Sequence, residues 1–260
     1  MPSQSEKAET FTRLHVPGSP VVLFNVWDPG SARVVAQSGA QALATGSWSV
    51  AAAFGFGDGE EMPFDLALEN LRRIVAAVDL PVTLDFEGGY GITPEAVGKT
   101  FAQALDAGAI GCNFEDRVVD AEDRLYSIED QSARIAALRE AAKSAGVPAY
   151  INARTDLFLN ADPAQHDDAL VEQALERAAA YAQAGASGFF VPGLVDEALL
   201  KRVCEGTPLP INVMYFPGVP PALRLAELGV ARISHGPGPY RLAMKALEEA
   251  ARTAFTPIVG

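Results

Sequence analysis

Residues 104–116 read Ala104-Leu105-Asp106-Ala107-Gly108-Ala109-Ile110-Gly111-Cys112-Asn113-Phe114-Glu115-Asp116. A helical pattern stops at a glycine, an apolar run starts within a few residues, and that run closes on two acids. Glycine is the residue that most readily ends a helix in the left-handed conformation. A short apolar run bounded by turn signals reads as a buried strand. The stretch therefore predicts a junction between a helix over 95–106 and a strand over 111–114. The same exit recurs at Ser38-Gly39-Ala40, Ala184-Gly185-Ala186 and Leu228-Gly229-Val230.

Working outward, strands are expected over 21–26, 42–45, 82–85, 111–114, 149–153, 188–191, 211–213 and 232–234. Helices are expected over 31–38, 64–77, 95–106, 127–143, 167–183, 196–203, 221–228 and 240–251. Residues 46–63 read as a loop of small residues and glycines. Alternating strand and helix implies a parallel sheet with right-handed crossovers. Eight such units in 260 residues imply an α/β chain closed into a (β/α)8 TIM barrel. A doubly wound open sheet is the alternative. No linker rich in Pro or Ser divides the chain, so one domain over 1–260 is expected, with 1–20 as an N-terminal extension or first helix.

Acidic residues number 33 against 20 basic, a formal charge of −13. Nucleic-acid binding needs clustered Lys and Arg to displace phosphate counterions, and no such cluster is present. Anionic membrane surfaces are disfavoured for the same reason. Cys112 and Cys204 are far apart and form no paired motif, which argues against a disulfide framework or a cysteine-rich zinc site. No apolar run reaches the ~20 residues of a membrane span. The polar N-terminus lacks the apolar stretch of a signal peptide. Together these features lead to the expectation of a cytoplasmic protein.

In a barrel of this kind the chemistry lies at the C-terminal ends of the strands. That rule gathers Trp27 and Asp28 after the first strand and Gly46 and Ser47 after the second. It adds Asp85 and Glu87 at the third, Asn113 and Glu115 at the fourth, Arg154 at the fifth, Asn212 at the seventh and His235 at the eighth. Asp85 and Glu87 alternate by two and can share one side of an extended segment. Carboxylates crowded without a cation repel, and one of them stays protonated. A hard cation with oxygen ligands, Mg2+ above all, resolves the crowding. The other reading is a set of salt bridges to Arg117, Arg124 and Arg154. Arg154 suits bidentate recognition of an anionic substrate group, or else pairs with Asp156 or Glu115. The run Phe54-Gly55-Phe56-Gly57-Asp58-Gly59 reads as a lid over the mouth or as a plain flexible excursion. His15 and His166 fall in segments expected to be solvated, and Cys112 reads as packing. His235 is a candidate acid–base group or a structural hydrogen-bonding residue.

These residues resemble the isocitrate lyase/phosphoenolpyruvate mutase superfamily. The matching stretches are Trp27-Asp28-Pro29-Gly30-Ser31-Ala32-Arg33, Thr45-Gly46-Ser47, Leu84-Asp85-Phe86-Glu87-Gly88-Gly89-Tyr90-Gly91, Asn113-Phe114-Glu115-Asp116 and Asn152-Ala153-Arg154-Thr155-Asp156. The resemblance implies a Mg2+-dependent barrel, with Mn2+ as a substitute, acting on small 2-oxo or 2-hydroxy carboxylates through an enolate-like fragment. It implies Asp85 as the main metal ligand, with Glu87 and Glu115 acting through water. Gly46, Ser47 and Arg154 would hold the substrate's anionic groups, and Asp58 would match a gating-loop acid. It also implies a homo-oligomer, dimer or tetramer, that exchanges the last helix.

Two departures narrow the resemblance. Isocitrate and methylisocitrate lyases carry a Lys-Cys-Gly-His loop after the fourth strand, which is absent here. Phosphonate enzymes carry a lysine where this chain has Arg117, and a Pro-Lys-x-Asn gating segment that is also missing. The expected function is a Mg2+-dependent lyase cleaving a C–C bond, with Asp58, Tyr90 and His235 as candidate acid–base groups and Arg154 completing the catalytic set. The alternatives are a P–C bond enzyme, of mutase or hydrolase type, and a non-catalytic oxo-acid-binding protein.

Overall fold

Short, mostly buried runs form eight strands: β1 (Val21–Leu23), β2 (Leu43–Ala44), β3 (Val82–Asp85), β4 (Gly111–Glu115), β5 (Tyr150–Arg154), β6 (Gly188–Phe190), β7 (Ile211–Met214) and β8 (Arg232–Ser234). The computed structural model describes residues 2–119, 121 and 124–255. Neighbouring strands pair in the order β1-β8-β7-β6-β5-β4-β3-β2, each pair parallel. Just beyond the strand ends, a parallel bridge between Val26 and Thr45 joins the two ends of that order. The Val26 N–H donates to the Ala44 carbonyl at 2.9 Å, and the Gly46 N–H to the Val26 carbonyl at 3.1 Å. The sheet is thereby a (β/α)8 barrel, not an open doubly wound sheet.

The helices are α1 (Gln4–Arg13), α2 (Pro29–Gln37), α3 (Ser47–Phe54), α4 (Phe64–Ala77), α5 (Pro94–Asp106), α6 (Ile128–Ser144), α7 (Leu157–Asn160), α8 (Asp168–Ala184), α9 (Glu197–Gly206), α10 (Ala222–Glu227) and α11 (Gly238–Phe255). The four glycine exits read from the sequence hold: Gly39, Gly108, Gly185 and Gly229 all have φ between 95° and 105°. The main apolar core lies between the sheet and these helices. No helix among the described residues is long and apolar enough to cross a membrane.

Two expectations need correction. Residues 47–54 are helical, not loop. Three consecutive alanines supply the helix propensity, and Gly55 at φ 83° closes the helix. Of the two readings offered for the N-terminal segment, an extension or a first helix, the structure has the helix, and Gln4 Nε2 ties it to the barrel by donating to the Leu105 and Ala109 carbonyls, each at 2.7 Å. His15 follows that helix and is buried, not solvated. Its ring stacks on Tyr150 at 4.0 Å, and its Nδ1–H donates to the Phe11 carbonyl at 2.8 Å.

The barrel interior is unusually polar. Thr83, Asn113, Asn152, Asn212, Arg232 and Ser234 are all buried there. Strand register sets Asp85, Asn113, Asn152 and Gly188 side by side across β3 to β6, and Asn212 beside Arg232. The alternation is clear on β4, where buried Cys112 and Phe114 flank the inward Asn113. Sheet pleating sends alternate side chains to opposite faces, so one polar row runs up the lumen toward the mouth.

Candidate active site at the barrel mouth

Asp85 ends β3 and is held by three donors. Its Oδ2 accepts from the Ser47 N–H at 2.8 Å and the Ser47 hydroxyl at 2.7 Å; its Oδ1 accepts from Asn113 Nδ2 at 3.3 Å. Ser47 is the first residue of α3, so the carboxylate sits where unpaired N–H groups and the helix dipole favour an anion.

The chain past β3 turns through left-handed conformations. Among the described residues, Glu60, Glu87 and Tyr90 are the non-glycine positions with positive φ, at 64°, 52° and 53°. They bond to one another. The Glu60 N–H donates to Glu87 Oε2 at 2.6 Å, the Tyr90 N–H to Glu60 Oε1 at 2.8 Å, and the Tyr90 hydroxyl to Glu87 Oε1 at 3.2 Å. Such conformations cost about 1–3 kcal/mol each and persist where surrounding structure over-determines them. Arg134 of α6 supplies part of that structure. It donates to the Gly88 and Gly91 carbonyls, and its guanidinium lies 3.9 Å over the Tyr126 ring.

Arg154 ends β5. It forms a bidentate pair with Asp156 (2.6 and 2.9 Å) and an ion pair with Glu115 at 2.8 Å. A guanidinium has five N–H donors; these contacts engage three. Burial alone would lower Arg154, but the Glu115 and Asp156 carboxylates outweigh it and hold the group well above its ordinary range. Asp116 supports this cluster from behind: its Oδ1 accepts from the Asp156 N–H at 3.0 Å, and its Oδ2 pairs with Arg177 at 3.1 Å and accepts from Tyr181 Oη at 3.0 Å.

The mouth has two lobes. One, of about 310 Å3, is bordered by Ser47, Asp58, Glu61, Glu87, Glu115, Arg117 and Arg154. The other, of about 160 Å3, is bordered by Asn25, Gly46, Ser47, Asp58, Asp85, Asn113, Arg154 and Gly236. Ser47, Asp58 and Arg154 belong to both. Negative charge accumulates here. Burial pushes Glu87 up to about 7, and Asp58 and Asp85 reinforce the shift. Burial and the Asp85 charge raise Asp58, against the pull of Arg154. Burial also pushes Glu115 upward, opposed by Arg154 and reinforced by Asp156, Asp85 and Glu87. Even so, no three His, Cys, Asp or Glu side chains among the described residues converge closely enough to bind one ion directly.

The structure brings together Gly46, Ser47, Asp58, Asp85, Glu87, Asn113, Glu115 and Arg154, with Tyr90 behind Glu87. It does not bring in the others. Asp28 caps α2, its Oδ1 accepting the Ser31 N–H at 2.6 Å. Trp27 packs edge-on against Tyr240 at 5.2 Å and against the small cluster of Val50, Ala51 and Met62. Asn212 is buried and accepts from the Ser234 hydroxyl at 3.2 Å. The His235 ring lies between Phe24 (5.0 Å) and Tyr215 (5.2 Å), on an apolar groove outside both lobes. Asp120, Glu122 and Asp123 lie outside the described residues.

Sequence reasoning missed Glu60, Arg134 and Arg232. Glu60 and Arg134 carry no local signal, since a loop acid and a helix arginine normally read as solvated. Arg232 carries one: a charge opening the apolar run Ala231-Arg232-Ile233.

Similarity to known proteins agrees with this geometry. The chain is 54% identical to a Burkholderia cenocepacia protein whose assignment as a phosphonomutase is provisional; that crystal structure matches 97% of this chain and all of its own, with a TM-score of 0.94. It is 29% identical to an oxaloacetate decarboxylase of Pseudomonas fluorescens, over 96% of this chain and 85% of the relative. A phosphonopyruvate hydrolase solved with oxalate and Mg2+ shares the fold, with a TM-score of 0.82 at 21% identity over 97% of this chain and 92% of its own. The phosphoenolpyruvate phosphomutase family model matches residues 11–255. The chain therefore belongs to the phosphoenolpyruvate phosphomutase family, within the phosphoenolpyruvate mutase/isocitrate lyase superfamily of lyases, mutases and hydrolases.

Proposed function

We propose that this chain is a Mg2+-dependent lyase that cleaves a C–C bond in a small 2-oxo or 2-hydroxy carboxylate. The observation that carries the reading is the crowding of Asp58, Asp85, Glu87 and Glu115 around one mouth. Burial and mutual repulsion push three of them upward, and Arg154 is the counter-charge in direct contact. A divalent cation removes that repulsion. Because no three such donors among the described residues gather for direct ligation, the set fits a hard ion that keeps several waters, as Mg2+ does. Mn2+ suits the same donors. Asp85 would hold the ion directly, and Glu87 and Glu115 through water. The bound ion would supply Lewis-acid stabilisation of the negative charge that develops on the substrate oxygens.

The chain's own residues do the rest. The Ser47 amide and hydroxyl fix Asp85. Arg154, anchored by Glu115 and Asp156, directs its remaining N–H donors at a substrate carboxylate. Asp58 borders both lobes, and burial and the neighbouring Asp85 charge keep its proton on to higher pH than usual, so it is the best-placed group to deliver a proton to the enolate carbon. The Tyr90 hydroxyl is engaged with Glu87, and His235 stands outside the lobes; neither competes with Asp58 for that role.

The test is to incubate the purified chain with Mg2+ and oxaloacetate, 2-methylisocitrate or phosphonopyruvate and follow pyruvate release. A C–C substrate is expected to turn over, with activity lost on chelation. A Lewis acid contributes several kcal/mol, so Asp85→Ala is expected to lower kcat/KM by about a thousandfold or more. Turnover of phosphonopyruvate alone would favour P–C chemistry, as in the phosphonopyruvate hydrolase that shares the fold. Mg2+-dependent binding without turnover would make the protein an oxo-acid binder. Unchanged Mg2+-dependent affinity in Asp85→Ala would remove the metal assignment.

The same reading extends to assembly: a homo-oligomer, dimer or tetramer, built by exchange of α11. Helix α11 leaves Leu242, Leu247 and Phe255 exposed and, among its described residues, buries Pro239 alone. A groove of about 560 Å3 beside β1, bordered by Pro20, Val22, Phe24, Val34 and Val35, is apolar enough to receive such a helix.

A further inference from the structure

We propose that Arg232 is a positioning residue for Asp85, acting across the barrel through the Asn113 side-chain amide. The inference rests on the reading of Asp85 as the direct metal ligand.

Strands β8 and β4 stand on opposite sides of the eight-stranded ring. The Arg232 side chain spans the lumen between them, its Nη2 donating to Asn113 Oδ1 at 2.9 Å. Its Nε donates to the Ser234 hydroxyl at 3.1 Å. Arg232 is fully buried, and no carboxylate among the described residues forms an ion pair with it. Burial lowers it to about 10, with Tyr150 and Asp85 acting in the opposite direction, so it stays charged at neutral pH. Burying a charge without a paired carboxylate is costly. A residue that serves packing alone would be expected to be apolar at this position.

The benefit lies in what the guanidinium does to Asn113. A side-chain amide presents a carbonyl on one side and an NH2 on the other, in nearly the same shape. Asn113 Oδ1 receives two donors, Arg232 Nη2 and Asn152 Nδ2, the latter also at 2.9 Å. An NH2 in that place would face two donors, one of them charged. The amide is therefore locked with its Nδ2 toward Asp85 Oδ1. Ser47 already holds Oδ2, so both carboxylate oxygens are fixed. Without Arg232, Asn152 alone would hold the orientation, and a flipped Asn113 would turn its carbonyl against the Asp85 carboxylate. Partners that orient a ligating carboxylate typically account for about 10- to 100-fold in metal affinity.

The experiment uses the full-length chain without substrate. Mn2+ affinity is measured by electron paramagnetic resonance titration in wild type, Arg232→Met, Arg232→Lys, Asn113→Leu and Arg232→Met/Asn113→Leu. Thermal unfolding and the NMR resonance of the Asn113 side-chain NH2, identified by its loss in Asn113→Leu, are recorded alongside. Arg232→Met and Asn113→Leu are each expected to weaken Mn2+ binding by about tenfold or more. The double variant should be no weaker than the worse single variant, and Arg232→Lys should recover part of the loss. Lower thermal stability with unchanged Mn2+ affinity in the folded variants, or losses that simply add, would overturn the proposal. If Arg232→Met does not fold, Asn113→Leu decides, since it cuts the relay with Arg232 in place. If wild type binds no Mn2+, the metal reading of Asp85 fails instead. The resonance then settles the inference, and an Asn113 NH2 signal unmoved in Arg232→Lys and Arg232→Met would sink it.

Discussion

At the residue scale, His15 shows how burial changes a titration. Burial and the Arg232 charge lower its ring to about 3, outweighing the bond to the Phe11 carbonyl, which favours the charged form. The folded chain therefore binds fewer protons than the unfolded chain between pH 3 and the ordinary histidine value of about 6.5. With the folded value depressed, stability is fully present above about 6.5 and falls as pH drops, by up to about 1.4 kcal/mol per unit. Between pH 7 and 5, wild type is expected to lose about 2 kcal/mol more than His15→Phe. Urea unfolding of both proteins at the two pH values measures this; parallel losses would show that His15 does not titrate in this way. The sequence placed His15 in a non-core segment because burial here comes from a contact between residues 15 and 150, which no local pattern encodes.

Elements raise a different question, because the same side chain can serve a helix or a ligand. Asp28 stands after the first strand, where the sequence suggested substrate binding. The structure gives it a capping box at the start of α2, with Ser31 as its partner. Removing such a cap costs about 1 kcal/mol. Asp28→Ala is expected to lower stability by that amount while leaving Mg2+ and ligand affinity unchanged, and Asp28→Ser should restore the stability. Calorimetry paired with a binding titration separates the roles: a loss of ligand affinity not rescued by serine would return Asp28 to the substrate site. Helix α3 makes the complementary case. Its eight residues are flanked by Gly46 and the glycines at 55, 57 and 59, so the segment looked like loop. An isolated helix that short is marginal in water. Docking of its N-terminus on Asp85 and of Val50 and Ala51 against Met62 holds it.

For the whole molecule, α11 is the feature that intramolecular packing does not explain. Leu242 and Leu247 are 64% and 62% exposed on an 18-residue amphipathic helix. The proposed exchange of α11 would cover this apolar surface. Light scattering is expected to give a mass that is a multiple of 27.4 kDa. A Leu242→Glu/Leu247→Glu variant should shift toward the single-chain mass with its circular dichroism preserved. A wild-type mass of one chain would overturn the proposed exchange of α11. The same variant tests whether the mouth works alone, since Tyr240 of α11 packs on Trp27 and Trp48.

Much of this architecture was legible before any coordinates. The glycine exits at 39, 108, 185 and 229 and the eight apolar runs announced a repeating strand–helix unit, because turns and burial impose local periodicities on the chain. Acids at the ends of two adjacent strands marked the mouth, because strand ends in a barrel face one common space. What the sequence by itself determined is therefore the barrel and the carboxylates gathered at the C-terminal ends of its strands. Tertiary structure alone decided which of those groups touch. It paired Arg154 with Glu115, set Asp58 beside both lobes of the mouth, placed Asp28 on a helix cap and His235 between two aromatic rings, and ran Arg232 across the lumen to Asn113. The Arg154–Glu115 and Arg232–Asn113 contacts join residues 39 and 119 positions apart. Their energies depend on distance and burial, which exist only once the ring has closed.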